Sequence, residues 1–214
     1  MQYYTLFQKF FPIFRRKRMR WFTEEMKPTA ATRILDVGGF PGDWKAYPVP
    51  GRRTVLNLNQ VHQVNSEESG VEFVVGDGRR MDYADRAFDI VYSNSVIEHL
   101  SSFEDQARFA QEVSRVGDGV WVQTPARCFF LEPHYLTPFI HCFPKTLRKK
   151  LVRYFTVWGW FTRPSRQQAE EIVNEIRLLN HREMRTLFPD CCILKERFFG
   201  LTKSYIAIRR QASL

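Results

Sequence analysis

The side chains best suited to move a proton are His99, in V-I-E-H-L, and His134, in L-E-P-H-Y-L. A free imidazole has a pKa of about 6.5, so near neutral pH it is mostly uncharged and basic. Such a base matters when the attacking group is a poor nucleophile, a hydroxyl above all. Both residues have plainer uses, His99 as a helix-start histidine bonded to backbone and His134 as a loop or packing residue. His134 follows the fifth strand-like segment, on the side where open α/β sheets hold ligands, which favours it as the acceptor contact. The four cysteines stand at 128, 142, 191 and 192 and form no C-x-x-C pair. They read as free thiols, with neither a zinc site nor a redox motif expected.

The second chemical feature is R-I-L-D-V-G-G-F-P-G-D-W, residues 33–44. An apolar run ends in Asp36, and Gly38, Gly39 and Gly42 follow at once. Glycine permits a positive φ and lets backbone approach a ligand closely. A phosphate-cradling loop needs G-x-x-x-x-G-K-[ST], and the sequence holds no Gly-Lys pair. A dinucleotide turn needs glycines at i, i+2 and i+5, but counting from Gly38 those places hold Gly38, Phe40 and Asp43. Asp43 would also put a carboxylate where pyrophosphate needs a helix N-terminus. S-adenosylmethionine carries no phosphate, and Asp36 could face its cationic amino group directly or through water.

With these residues the sequence resembles the class I S-adenosylmethionine-dependent methyltransferases, the broad group that includes quinone-biosynthesis methyltransferases, over about residues 30–127. I-L-D-V-G-G-F-P-G is similar to the family's first motif, acid-x-Gly-x-Gly-x-Gly, with Phe40 in place of the middle glycine. The resemblance implies cofactor contacts from Asp36, Gly38, Gly39 and Gly42. It implies an acid on the ribose at the end of the second strand, where this chain has Asn57 and Asn59, with Asn59 the favoured position. Asp77 and Gly78 would line the adenine wall, and Ser93 and Asn94 the methionine end.

Five strands must position these residues: 33–37, 54–58, 71–75, 88–92 and 119–123. Their nearly continuous apolar character predicts a Rossmann-like, doubly wound α/β fold with a mostly parallel sheet. The connection from the first strand to the second leaves room only for a brief helix. Helical spacing predicts a helix over 102–116 with Phe103, Ala107, Ala110 and Val113 on its inner face, and another over 165–188. Segments 193–199 and 204–209, split by Gly200, predict an antiparallel C-terminal hairpin.

The net charge of +9 is unevenly spread. Residues 1–27 hold seven basic and two acidic side chains, and residues 133–169 hold seven basic and no acidic ones. A mildly acidic body thus carries two basic, aromatic additions. Residues 1–27 read as a helical extension, with Tyr3, Phe7, Phe10 and Phe14 at helical spacing over 1–20 and Pro12 against one unbroken helix. Residues 28–214 read as the methyltransferase domain, with a lid inserted at about 128–167. No apolar run suits a membrane span, and the order of charge and apolar residues at the start is not that of a secretory signal. The expectation is a cytoplasmic protein, peripheral to an anionic membrane through 1–20 and 143–167, acting on a small-molecule or lipid-linked acceptor. RNA is the competing partner, and a degenerate methyltransferase fold acting as a non-catalytic binding partner is the non-enzyme alternative.

Overall fold

The computed structural model describes residues 12–58 and 71–211. After α1 (Pro12–Met26) come β1 (Arg33–Val37), α2 (Pro41–Ala46), β2 (Arg52–Asn57), β3 (Val71–Val75) and β4 (Phe88–Asn94). Next are α3 (Phe103–Val116), β5 (Gly117–Pro125), β6 (Leu131–Glu132) and β7 (Thr137–Pro138). Then follow α4 (Lys145–Leu151), α5 (Val157–Thr162), α6 (Arg166–Glu175), α7 (His181–Leu187), β8 (Cys192–Phe198) and β9 (Leu201–Arg209).

The main sheet has seven strands in the order β3-β2-β1-β4-β5-β9-β8. β1 pairs in parallel with β2 and β4, β2 with β3, and β4 with β5. β9 runs antiparallel to β5 and β8. The fold is the mostly parallel α/β sheet with an antiparallel C-terminal pair that the apolar runs predict.

Successive strand residues face opposite layers. Ile34, Ile90 and Trp121 pack with α1 and Trp44 on one face, while Leu35, Val91 and Val122 pack with α3 and α7 on the other. Residues 12–26 therefore share the main core. Phe22 is fully buried and meets the rings of Trp44, Tyr92 and Trp121 at 5.1–6.3 Å. The helix begins at Pro12, which suits a residue without an N–H at a first helical turn. Tyr3, Phe7 and Phe10 lie outside the described residues.

Two helical expectations change. The inner face of α3 is Gln106, Phe109, Ala110, Val113 and Val116, whereas Phe103 is 37% exposed. Gln106 is drawn inside because its side-chain amide donates to the carbonyls of Ile97 and Arg177. The 165–188 stretch is two helices. Glu175 ends α6, and Asn180 opens α7 with a reciprocal capping box to Glu183.

The segment after β5 folds around its own small core, in which Tyr135, Ile140, Val152 and Trp158 meet Ala169, Val173, Ile176 and Leu178. No helix among the described residues is long and apolar enough to cross a membrane.

Candidate functional site

The glycine turn forms where the parallel strands end. Gly38 has φ +79°, and a Cβ there would fall 2.6 Å from Val96 Cγ2. A Cβ on Gly39 would fall 1.8 Å from Asp36 Oδ2, so only glycine lets the loop fold back over the carboxylate. Gly42 lies within α2. Asp36 is 3% exposed and accepts a 2.7 Å hydrogen bond from Trp44 Nε1. Asn57 Nδ2 donates to the Gly39 carbonyl at 3.0 Å, so this amide braces the loop. Asn59 lies outside the described residues.

Beside the turn is a narrow cleft of about 20 Å³, walled by Asp36, Gly38, Gly39, Phe40, Trp44 and Asn94 and narrowed by Arg15 and Met19 of α1. Asn94 Oδ1 is buried in this wall with no hydrogen-bond partner among the described residues. A buried carbonyl without a donor suits a ligand that brings one. Phe40 lines the cleft, and the wall offers an acid, an amide and aromatic faces. These residues fit the amino-acid end and sulfonium of S-adenosylmethionine.

Three expected cofactor residues have other partners. The Ser93 hydroxyl is fully buried and donates to the Val37 carbonyl at 2.9 Å, tying β4 to β1, so it does not border the cleft. Asp77 accepts from its own downstream residue: Arg79 N donates to Oδ1 at 2.9 Å, and the guanidinium grips both carboxylate oxygens. That guanidinium holds the Asp77 carboxyl below its ordinary range. Asp77 is therefore an Asx turn with a side chain still about one-third exposed. Gly78 answers to packing, since a Cβ there would meet Val37 Cγ1 at 2.7 Å.

The two histidines, distant in sequence, come together. His99 ends a 3-10 turn, Ile97–His99, just after β4, and His134 lies in the tight turn between β6 and β7. Their ring centroids are 5.0 Å apart at 87°. Each Nδ1 lies 2.7 Å from a carboxylate oxygen, His99 on Glu175 and His134 on Glu132. A carboxylate only accepts, so each Nδ1 carries a proton, and in the neutral ring the basic nitrogen is Nε2. Glu132 is fixed in turn by the Tyr135 N–H at 2.8 Å. Glu98 is fully buried; its Oε2 accepts from Thr124 Oγ1 at 3.0 Å, and its Oε1 has no hydrogen-bond partner among the described residues.

Burial pulls the His134 pKa down, but the charge and hydrogen bond of Glu132 outweigh it, with Glu98 and Glu175 adding to the rise, so the net shift is upward. The Glu175 carboxyl is held below its usual range by His99. One donor atom from each of Glu98, His99 and His134 lies within 4.8 Å of the others. The three could therefore serve one metal ion as ligands. The sequence reading missed the carboxylates. Their signal is an acid beside each histidine, Glu98 before His99 and Glu132 before His134; Glu175 has no local signal.

Residues 52–118 match the family described as "Methyltransferase domain". No curated protein matches the chain. Among solved structures, magnesium protoporphyrin IX methyltransferase from Synechocystis PCC 6803, with bound SAH, is 11% identical with a TM-score of 0.56, covering 91% of this chain and 81% of that one. The N-terminal domain of EvdMO1, solved in the presence of SAH and D-fucose, is 17% identical with a TM-score of 0.56, covering 92% and 83%. A SAM-dependent methyltransferase from Methanosarcina mazei is 15% identical with a TM-score of 0.50, covering 84% and 92%. The chain has the fold of the class I S-adenosylmethionine-dependent methyltransferases, and S-adenosylmethionine is the cofactor these likenesses support.

Proposed function

We propose that the protein transfers the methyl group of S-adenosylmethionine to a hydroxyl of a small-molecule or lipid-linked acceptor, with His134 and His99 as the proton-accepting pair. The observation that carries this reading is the facing arrangement of the two rings, each with its Nδ1 on a carboxylate at 2.7 Å. A methyl donor already activated as a sulfonium needs a positioned nucleophile, and proximity alone supplies roughly 7–11 kcal/mol. A hydroxyl also needs its proton removed, which a backed histidine performs for about 10²–10⁴-fold in rate.

The cofactor brings the transferable methyl group. This chain's residues orient its amino-acid end through Asp36 and Asn94, which line the cleft beside the glycine turn. The Nε2 of His134 takes the acceptor proton, and Glu132 stabilises the imidazolium that forms. His99, backed by Glu175, completes the pair.

The test has two arms. Calorimetry with S-adenosylhomocysteine should give heat with the wild type and weaker binding with Asn94→Ala. Labelled methyl should pass from S-adenosylmethionine to hydroxyl acceptors with the wild type and not with His134→Gln. Absence of cofactor binding would favour the non-catalytic scaffold, and retained transfer by His134→Gln would end its role as base.

A further inference from the structure

We infer that the corner between α4 and α5, residues 153–163, is a docking surface for an anionic lipid bilayer. The chain here separates its aromatic residues by burial. Trp158 and Val152 turn inward and close the small core of the segment after β5, whereas Tyr154, Phe155, Trp160 and Phe161 are 59%, 65%, 63% and 72% exposed. Nothing among the described residues covers them. Single exposed apolar residues are ordinary, but four large rings on one corner mark an interaction site.

The rings are held in place. Thr156 caps α5 by accepting from Gly159 N at 2.9 Å, and Trp160 Nε1 donates to the Tyr154 carbonyl at 2.5 Å. A Cβ on Gly159 would come within 2.3 Å of the carbonyls of Val152 and Arg153, so the corner packs backbone against backbone. Prearranged anchors lose little entropy on binding.

Charge selects the partner. From 133 to 169 the chain carries seven cations and no acid. Arg153 lies over the Tyr154 ring at 5.2 Å, and Arg163 just beyond α5 is exposed. Rings that enter the headgroup layer beside cations that meet anionic lipid supply the two signals a stable peripheral attachment requires. Nucleic acid would use the same chemistry on stacking platforms in a groove. Here the rings project from a helix corner, more than half exposed, which suits insertion. In the described part of the N-terminal helix, Met19, Phe22 and Met26 are spent on the core. A headgroup-level position fits the lipid-linked member of the proposed acceptor class; that link rests on the functional reading, whereas the docking surface does not.

The experiment is flotation of the full chain with phosphatidylcholine vesicles, with and without phosphatidylglycerol. The wild type should float with the anionic vesicles and be released by high salt, and the Trp emission should shift to the blue. Of the five tryptophans, Trp44, Trp121 and Trp158 are buried and Trp21 is half-buried on α1, so Trp160, 63% exposed, is the reporter at the corner, and Trp160→Phe separates its signal from that of Trp21. Phe155→Ser/Trp160→Ser/Phe161→Ser should partition roughly 100-fold more weakly or worse while keeping its affinity for S-adenosylhomocysteine. Trp160→Phe should still float but lose the blue shift. If the triple variant loses cofactor binding, quenching of Trp160 in the wild type by brominated lipid decides instead. Failure to float, flotation undiminished in the triple variant, absence of lipid quenching, RNA retention without vesicle binding, or a dimer that the triple variant dissolves without vesicle binding would each overturn the proposal. Cofactor binding is read separately, so none of these bears on the methyltransferase reading.

Discussion

Trp44→Phe isolates the interaction that joins the glycine turn to the core. Trp44 is 2% exposed, its Nε1 donates to Asp36 Oδ2 at 2.7 Å, and its ring meets Phe22 at 6.3 Å and Tyr92 at 5.3 Å. Phenylalanine keeps an aromatic face and removes the donor. A hydrogen bond to a charged group contributes about 1.5–3 kcal/mol, and the smaller ring leaves a cavity costing about 1 kcal/mol more. The expected loss is about 2.5–4 kcal/mol. In a chain of this size that lowers Tm by about 5–16 °C. Affinity for S-adenosylhomocysteine should fall with it, roughly tenfold, since one lost interaction of about 1.4 kcal/mol suffices. Differential scanning calorimetry and titration calorimetry read the two effects. Trp160→Phe is the internal control: the same donor is removed from a carbonyl bond at 2.5 Å, but on a residue 63% exposed, where water replaces it. That variant should stay within about 0.5 kcal/mol of wild type. Equal stabilities for the two variants, or wild-type cofactor affinity in Trp44→Phe, would refute the assignment of Asp36 and Trp44 as the brace of the cofactor turn.

His134→Gln should lower kcat by about 10²–10⁴-fold with S-adenosylhomocysteine affinity unchanged, read by parallel kinetics and calorimetry. The base form of His134 is the neutral one, and its pKa is raised; the rate should therefore climb with pH through a midpoint above about 6.5, and Glu132→Gln should move that midpoint down. The same shift links to stability. A histidine whose folded pKa exceeds its unfolded value stabilises fully below about pH 6.5, and that contribution fades as pH rises through the folded value, so Glu132→Gln should flatten the Tm-versus-pH curve in this window. Zinc should inhibit by drawing Glu98, His99 and His134 together, and a chelator should restore the rate; stimulation by zinc would show the trio to be a working metal site. Gly78→Ala should cost about 1–3 kcal/mol by overpacking against Val37 and Phe109, seen as a lower denaturation midpoint.

How far the sequence reached depended on what each element uses to hold itself. β1 and β3 follow the expected bounds to the residue because short apolar runs end there in Gly38 and Gly76. β5 extends beyond its apolar centre, from Gly117 to Pro125, because ladder pairing with β4 and β9 recruits polar residues that hydrophobicity does not mark. The inner face of α3 was misread for a related reason. Gln106 is buried by bonds to two backbone carbonyls, and apolar spacing assigns no such role to an amide.

The site shows the same division. Asp36 and the glycines were legible because a tight turn at a strand end admits few residue types. Ser93 was legible as a position but not as a partner, since a hydroxyl at a strand end serves the neighbouring strand as readily as a ligand. Glu175 was invisible because its place beside His99 depends on where α6 stops, and α6 stops there only because the 165–188 stretch breaks into two helices. Composition likewise could not separate Trp158 from Trp160, which differ by two positions and from 2% to 63% in exposure. That difference comes from helical geometry about the Thr156 cap: α5 is short enough that a single turn divides the aromatic residues that close the segment's core from those that face outward. Moving the cap by one residue would turn these side chains by about 100°, so the surface depends on Thr156 as much as on the aromatics. Thr156→Ala should cost about 1 kcal/mol and blunt the Trp160 lipid response without removing any ring from the corner. A full response in that variant would show that the rings need no fixed presentation to meet the bilayer.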